Sequence, residues 1–133
     1  MKPITSDIFL LDNLSGANVY LLKDDRHLIM IDSGLKKDYQ TIHSRSLSAG
    51  IHLESLKMII LTHSHGDHAA GAPHLAHLSE AQVLAHEMDV PFLTQQRAYP
   101  PQTVAQKLVY ALMNRFVFHL DPIQVDHVLK DGD

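Results

Sequence analysis

The sequence predicts a single α/β (α+β) domain over residues 1–133, a mixed β-sheet with helices packed on it. Three observations predict it. Three apolar runs recur about ten residues apart in the first third, each closed by turn-forming residues. A further six-residue apolar run, Leu56-Lys57-Met58-Ile59-Ile60-Leu61, stands alone in the middle of the chain. Between and after these runs, apolar residues fall at helical spacing. A hydrophobic content of 45% with 20% charged residues is ordinary for a folded domain and excludes disorder as the resting state.

The elements follow in order. Ile8-Phe9-Leu10-Leu11 ends at Asp12-Asn13. Val19-Tyr20-Leu21-Leu22 is bounded by Ser15-Gly16 and Lys23-Asp24-Asp25. Leu28-Ile29-Met30-Ile31 stops at Asp32-Ser33-Gly34. Together they predict an antiparallel meander, with Asp24-Asp25-Arg26 as a hairpin turn. From Lys36, residues Tyr39, Ile42 and Leu47 suit a helix that Gly50 closes. Leu56–Leu61 is a buried strand that runs directly into Thr62-His63. Asp67 to Leu78 predicts a second helix, Val83-Leu84-Ala85 a short strand, and Gln102 to His119 the longest helix. Tyr99-Pro100-Pro101 is a local breaker, and no repeat or linker divides the chain.

Composition narrows the function. The net charge of −4 argues against a nucleic-acid module working through a general basic surface. The absence of cysteine removes disulfides, thiolate ligands and thiol nucleophiles. No run approaches the ~18 apolar residues of a membrane span, and the first residues lack the apolar stretch of an export signal, so a soluble, cytoplasmic protein is expected. Histidine is the outlier, with 11 copies against 4 Phe, 4 Tyr and no Trp.

The chemistry concentrates in Thr62-His63-Ser64-His65-Gly66-Asp67-His68. His63 and His65 are two apart and point the same way in an extended segment. Asp67 and His68 follow where Gly66 lets the backbone turn. Three imidazoles and a carboxylate within six residues suit Zn²⁺ and, less selectively, Fe, Mn, Co or Ni. A strand end opening into a loop is where reactive side chains converge on a rigid support. The other histidines carry no such pattern. His74 and His77 suit a solvated helix face, with Leu75 and Leu78 turned to the core. His86 ends a short strand, near the site or at the surface, and His27, His43, His52, His119 and His127 are isolated.

His63-x-His65-x-Asp67-His68 after an apolar strand and a Thr resembles the signature of the metallo-β-lactamase superfamily. The flanks resemble it too. Asn18-Val19-Tyr20-Leu21 and Ile29-Met30-Ile31-Asp32-Ser33-Gly34 are similar to two of its strands. Ala69-Ala70-Gly71 is similar to the start of the helix after the motif, and Leu129-Lys130-Asp131-Gly132-Asp133 to the segment between the halves of the domain. The resemblance implies an αββα sandwich, of which this chain matches the N-terminal half. It implies one or two metal ions, zinc first and Fe or Mn as alternatives. His63 and His65 would hold the first ion, and Asp67 and His68 the second. Asp67 would also stand near the attacking water as a catalytic residue, with Asp32 and Thr62 supporting the ligand loop from behind. The implied reaction is attack of metal-activated hydroxide on a small-molecule ester, thioester or lactone. Histidine at position 65 disfavours the branch that carries Glu there.

The family's third His ligand and bridging Asp have no counterpart here. The alternatives are therefore a catalytically incomplete metal-binding fragment, or a non-enzymatic interaction module on the same fold. A small-molecule substrate is expected as partner, and neither nucleic acid nor membrane. A β-lactamase in the narrow sense is not expected, because that group is secreted. The sheet face meant for the missing half, with Ile59, Ile60, Leu61, Val19, Leu21 and Ile29 as candidates, would be open to self-association with a second copy. Val104, Leu108, Leu112 and Phe116 would add an apolar helix to that face, pack it on the chain's own sheet, or line the substrate pocket of a complete enzyme.

Overall fold

The computed structural model describes residues 1–24, 26–98, 103, 104, 109 and 121–133. Seven strands form one sheet in chain order: β1 (Lys2–Pro3), β2 (Ile8–Leu11), β3 (Val19–Lys23), β4 (Leu28–Ile31), β5 (Leu56–Leu61), β6 (Gln82–His86) and β7 (His127–Leu129). The first four pair antiparallel, as the meander predicts, and β4 through β7 pair parallel. The switch of direction at β4 follows from its connection. A helix, α1 (Tyr39–Ser48), separates β4 from β5, and parallel neighbours need such a crossover. Further α-helices are α2 (Gly66–Ala69), α3 (Ala72–Ser79) and α4 (Val90–Leu93), and single 3-10 turns at Lys36–Asp38 and Leu53–Ser55 flank α1.

Local chemistry explains the boundaries. The β3–β4 hairpin closes through Asp24, whose Oδ1 accepts the backbone N–H groups of Arg26 (2.7 Å) and His27 (2.6 Å). Those two bonds hold its carboxyl below the usual range. Helix α1 ends at Gly50, whose φ of +73° is the left-handed conformation that glycine adopts without a Cβ clash. Between β4 and β5 the register shifts. Leu28 pairs with Leu56 and Ile29 with Met58, so Lys57 is passed over and exposed while Leu56 stays buried.

Strand alternation divides the sheet. Val19, Leu21, Met30, Ile59, Leu61 and Val83 face one side and are buried in the core with Ile42 of α1 and Leu75 of α3. Tyr20, Leu22, Ile29, Ile31, Ile60 and Leu84 face the other and are half-buried. This corrects the expected open face. Val19, Leu21, Ile59 and Leu61 belong to the covered side, because adjacent strand residues point oppositely. Only Ile29 and Ile60 of that group lie on the half-buried side.

The expected helix at 67–78 is two helices, α2 and α3, broken at Ala70-Gly71. The expected helix at 102–119, with Leu108, Leu112, Phe116 and His119, lies outside the described residues except for Thr103, Val104 and Val109, which are exposed. Asp25 and the Tyr99-Pro100-Pro101 breaker lie outside them as well. Among the described residues no helix is long and apolar enough to cross a membrane.

Candidate metal centre

The six residues singled out by sequence, Asp32, Thr62, His63, His65, Asp67 and His68, meet at one end of the sheet. Asp32 follows β4, Thr62 follows β5, and β4 and β5 are neighbours. Asp32 is 4% exposed and adopts φ +58°, a conformation in which Asp is among the better tolerated residues. Its N–H donates to Ile60 O at 2.9 Å, which ties the turn to β5.

The Asp32 carboxylate organises two histidines. Its Oδ1 accepts the Thr62 N–H at 2.9 Å, and the Thr62 hydroxyl lies 3.0 and 2.8 Å from its two oxygens. A carboxylate has no proton to give, so Thr62 Oγ1 is the donor. The same hydroxyl oxygen is 3.1 Å from His63 Nδ1. With its proton committed to Asp32, it accepts from His63 Nδ1–H. His68 Nδ1 lies 2.8 Å from Asp32 Oδ2 and donates there directly. In both rings the proton is thereby placed on Nδ1, and Nε2 keeps its lone pair. A carboxylate behind an imidazole is the arrangement that orients metal-ligating histidine.

The donor atoms stand in two pairs. His63 Nε2 and His65 Nδ1 are 3.1 Å apart. A tetrahedral ion with metal–nitrogen bonds of about 2.05 Å would need about 3.3 Å between two ligand nitrogens. The observed spacing fits that bite. His68 Nε2 lies 3.8 Å from Asp67 Oδ2. The His63 ring centroid is 4.0 Å from that of His68 and 4.7 Å from that of His65, so the pairs adjoin. Burial, then the proximity of His68 and His65, pushes the His63 pKa below its ordinary value, against the opposing pull of Asp32 and Asp67. The neutral, ligating form is therefore favoured. Among the described residues, no three His, Asp or Glu side chains already group around one ion position. The donor chemistry and the bite of the first pair fit a divalent ion, with further ligands needed to close its shell.

The backbone of the motif is clamped from several sides. His65 forms the N-terminal boundary of α2, and its carbonyl accepts the N–H groups of His68 and Ala69 at 3.0 and 2.9 Å. The turn expected at Gly66 is thus made by extended His65 entering a helix. The carbonyl of Asp67 accepts Ala17 N–H at 3.2 Å, and that of His68 accepts both Ser33 N–H (2.7 Å) and Ser33 Oγ–H (2.8 Å). Two glycines permit these approaches. A Cβ on Gly16 would lie 2.8 Å from Asp67 O, and one on Gly71 only 2.2 Å from Ser33 O. Asp38, 4% exposed, joins the two supporting loops by accepting from Ser15 N–H and Leu35 N–H, each at 3.1 Å.

Three contributors escaped the sequence reading: Asp89, Ser33 and Ala17. Asp89 follows β6, and its Oδ1 accepts the Ser64 N–H at 2.8 Å and the Ser64 hydroxyl at 2.6 Å. The signal in the sequence was weak, because Asp before Val-Pro suggests a helix cap. Of the remaining histidines, His86 ends β6 and accepts Met88 N–H at 3.3 Å, while His27 and His43 lie beside Asp24 and Glu54. His77, His52 and His127 are exposed. His74 departs from a solvated face: it is half-buried, its Nδ1 is shut away from solvent, and its ring lies 5.7 Å from that of Tyr39.

Comparison with known proteins places the chain among relatives of one family and fold. The sequence model of the metallo-beta-lactamase superfamily matches residues 12–133. A probable metallo-hydrolase of Bacillus subtilis, YflN, is 28% identical over 88 residues, covering 64% of this chain and 33% of its own. An atrochrysone carboxyl ACP thioesterase of Aspergillus fumigatus is 40% identical over 63 residues, 47% of this chain and 14% of its own. Among solved structures, BJP-1, a subclass B3 metallo-beta-lactamase of Bradyrhizobium japonicum, superposes with a TM-score of 0.74 at 26% identity, covering 96% of this chain and 44% of its own. The chain spans a third or less of the length of those two curated relatives.

Proposed function

Since the chain belongs to the metallo-beta-lactamase superfamily, we propose that it serves a metal-dependent hydrolase acting on a small-molecule ester, thioester or lactone. Its relatives include a probable metallo-hydrolase and a thioesterase. One observation carries the reading: the Asp32 carboxylate fixes the protons of His63 and His68, leaving both Nε2 lone pairs beside His65 and Asp67. His63 and His65 would hold one divalent ion, zinc by donor type, and Asp67 and His68 would hold a second. A bound ion of this kind lowers the pKa of its water to about 7 and polarises a substrate carbonyl.

The chain's own residues then divide the work. Asp67, half-buried at the N-terminus of α2, accepts a hydrogen bond from the attacking water and orients it. Asp32 and Thr62 hold the proton of each imidazole on Nδ1 and aim its Nε2. A thioester or activated ester suits such a site, because neither needs a strong proton donor for its leaving group.

A second reading has its own observation. Because no three donors among the described residues group around one ion, this chain alone would hold metal without completing a catalytic centre. Titration of the metal-free protein with Zn²⁺, read by native mass spectrometry, with aryl ester and aryl thioester hydrolysis assayed alongside, separates the two. Turnover that depends on Zn²⁺ and is lost in His65→Ala supports the hydrolase. Metal uptake without turnover supports the second reading, and no uptake by the wild type overturns both.

A further inference from the structure

We propose that Asp89 is a positioning residue for the metal-holding loop, acting through Ser64 to fix the His63–His65 bite; this rests on the metal reading above. Ser64 lies between the two histidines and is 1% exposed. Both of its polar groups meet a single acceptor, Asp89 Oδ1, the N–H at 2.8 Å and the hydroxyl at 2.6 Å. The arrangement repeats that of Thr62, whose N–H and hydroxyl are both held by Asp32. The alternating residues 62 and 64 are thus gripped by two carboxylates from different strand ends, and the histidines that follow each of them project from a fixed backbone.

The Asp89 carboxylate is committed to this task. Asp89 occupies the N-cap position of α4, where Asp ordinarily accepts a bond from the first turn of its own helix. It makes no such side-chain bond. The N–H groups of Phe92 and Leu93 are taken by its backbone carbonyl at 3.0 and 3.1 Å, and Pro91 has none to offer. The carboxylate is therefore released to reach the β5 loop. Its base is rigid, because Leu93 is fully buried and its carbonyl accepts Ile123 N–H at 2.9 Å.

The test is Co²⁺ titration of the full chain, read by visible absorption, for the wild type, Asp89→Ala, Asp89→Asn and Leu56→Ala. Asp89→Ala is expected to weaken Co²⁺ binding by roughly 10- to 100-fold and to change the absorption envelope. Asp89→Asn keeps an acceptor oxygen and is expected to restore the wild-type spectrum and most of the affinity. Leu56 is fully buried at the start of β5 and remote from Asp89, so Leu56→Ala lowers stability without touching Ser64 and its spectrum should match the wild type. If Asp89→Ala does not fold, Ser64→Ala removes the hydroxyl bond alone and is expected to shift the spectrum in the same direction. Wild-type affinity and spectrum in Asp89→Ala, or in Ser64→Ala where that variant stands in, overturn the role, as does a failure of Asn to rescue. A wild-type chain that takes up no Co²⁺ overturns the metal reading as well, so the two failures are distinguishable.

Discussion

Gly71 and Ser33 stand so close that a Cβ on the glycine would lie 2.2 Å from the serine carbonyl oxygen. Gly71 also donates its N–H to Gly34 O at 3.0 Å. The start of α3 is thereby pressed onto the turn after β4, and no side chain fits between them. Gly71→Ala is expected to destabilise the protein by at least about 1–3 kcal/mol, since backbone on both sides must move. Gly50→Ala, with open space around its Cβ but φ +73°, should cost only the smaller conformational term of about 1 kcal/mol. Urea unfolding of both variants checks the ranking, and equal losses would refute the close-approach argument.

Asp32→Asn and Asp32→Ala separate charge from backbone strain. Asn tolerates φ +58° as Asp does, yet it removes the negative charge behind His63 and His68. Both substitutions should lower metal affinity by roughly 10- to 100-fold, and Ala should also lower stability. Competition with a chromophoric chelator measures the first effect and thermal melting the second. Unchanged affinity in Asp32→Asn would show that the histidines orient without it.

The depressed pKa of His63 gives the metal-free protein a pH dependence of defined sign. In the unfolded chain this imidazole titrates near its ordinary value of about 6.5. In the folded chain it takes up a proton only at lower pH. Between those values the unfolded state binds more protons, so stability falls as pH falls below about 6.5. His63→Gln should flatten this part of the stability curve, as seen in denaturant midpoints between neutral and mildly acidic pH. A parallel curve would refute the assignment.

Leu75, fully buried where α3 meets the sheet, tests whether the covered side is the true core. Leu75→Ala is expected to cost about 2–5 kcal/mol. The half-buried Leu84 on the opposite side should cost clearly less. The comparison is made by urea titration, and similar losses would mean that the two sides are packed alike.

The motif and its support were legible for a local reason. The candidate ligands lie within six residues, directly after a strand apolar at nearly every position, and β2 through β5 carry the same plain signal. What was not legible depends on distant contacts. Strands β1 and β7, of two and three residues, have too little pattern to stand out and exist through pairing with β2 and β6. The break between α2 and α3 arises because Asp67 O accepts from Ala17, while Gly71 N–H turns to Gly34 O. A continuous helix would have joined those two groups to each other. A continuous apolar run does not show which of its residues share a side of the sheet, because alternation sends neighbours to opposite faces. Asp89 reaches Ser64 across 25 residues, and nothing in its immediate surroundings marks it.

The loop that carries the four candidate ligands is held from outside as well as by its own short helix. Asp32 and Ser33 after β4, Asp89 after β6 and Ala17 before β3 hold it, so three different strand connections contribute. Such a loop is set before any cation arrives. Capturing an ion should then release water without an accompanying folding step, so uptake would be quick and calorimetrically simple. It also means that the loop has no separate melting point: the site is lost when the sheet is lost, and not before.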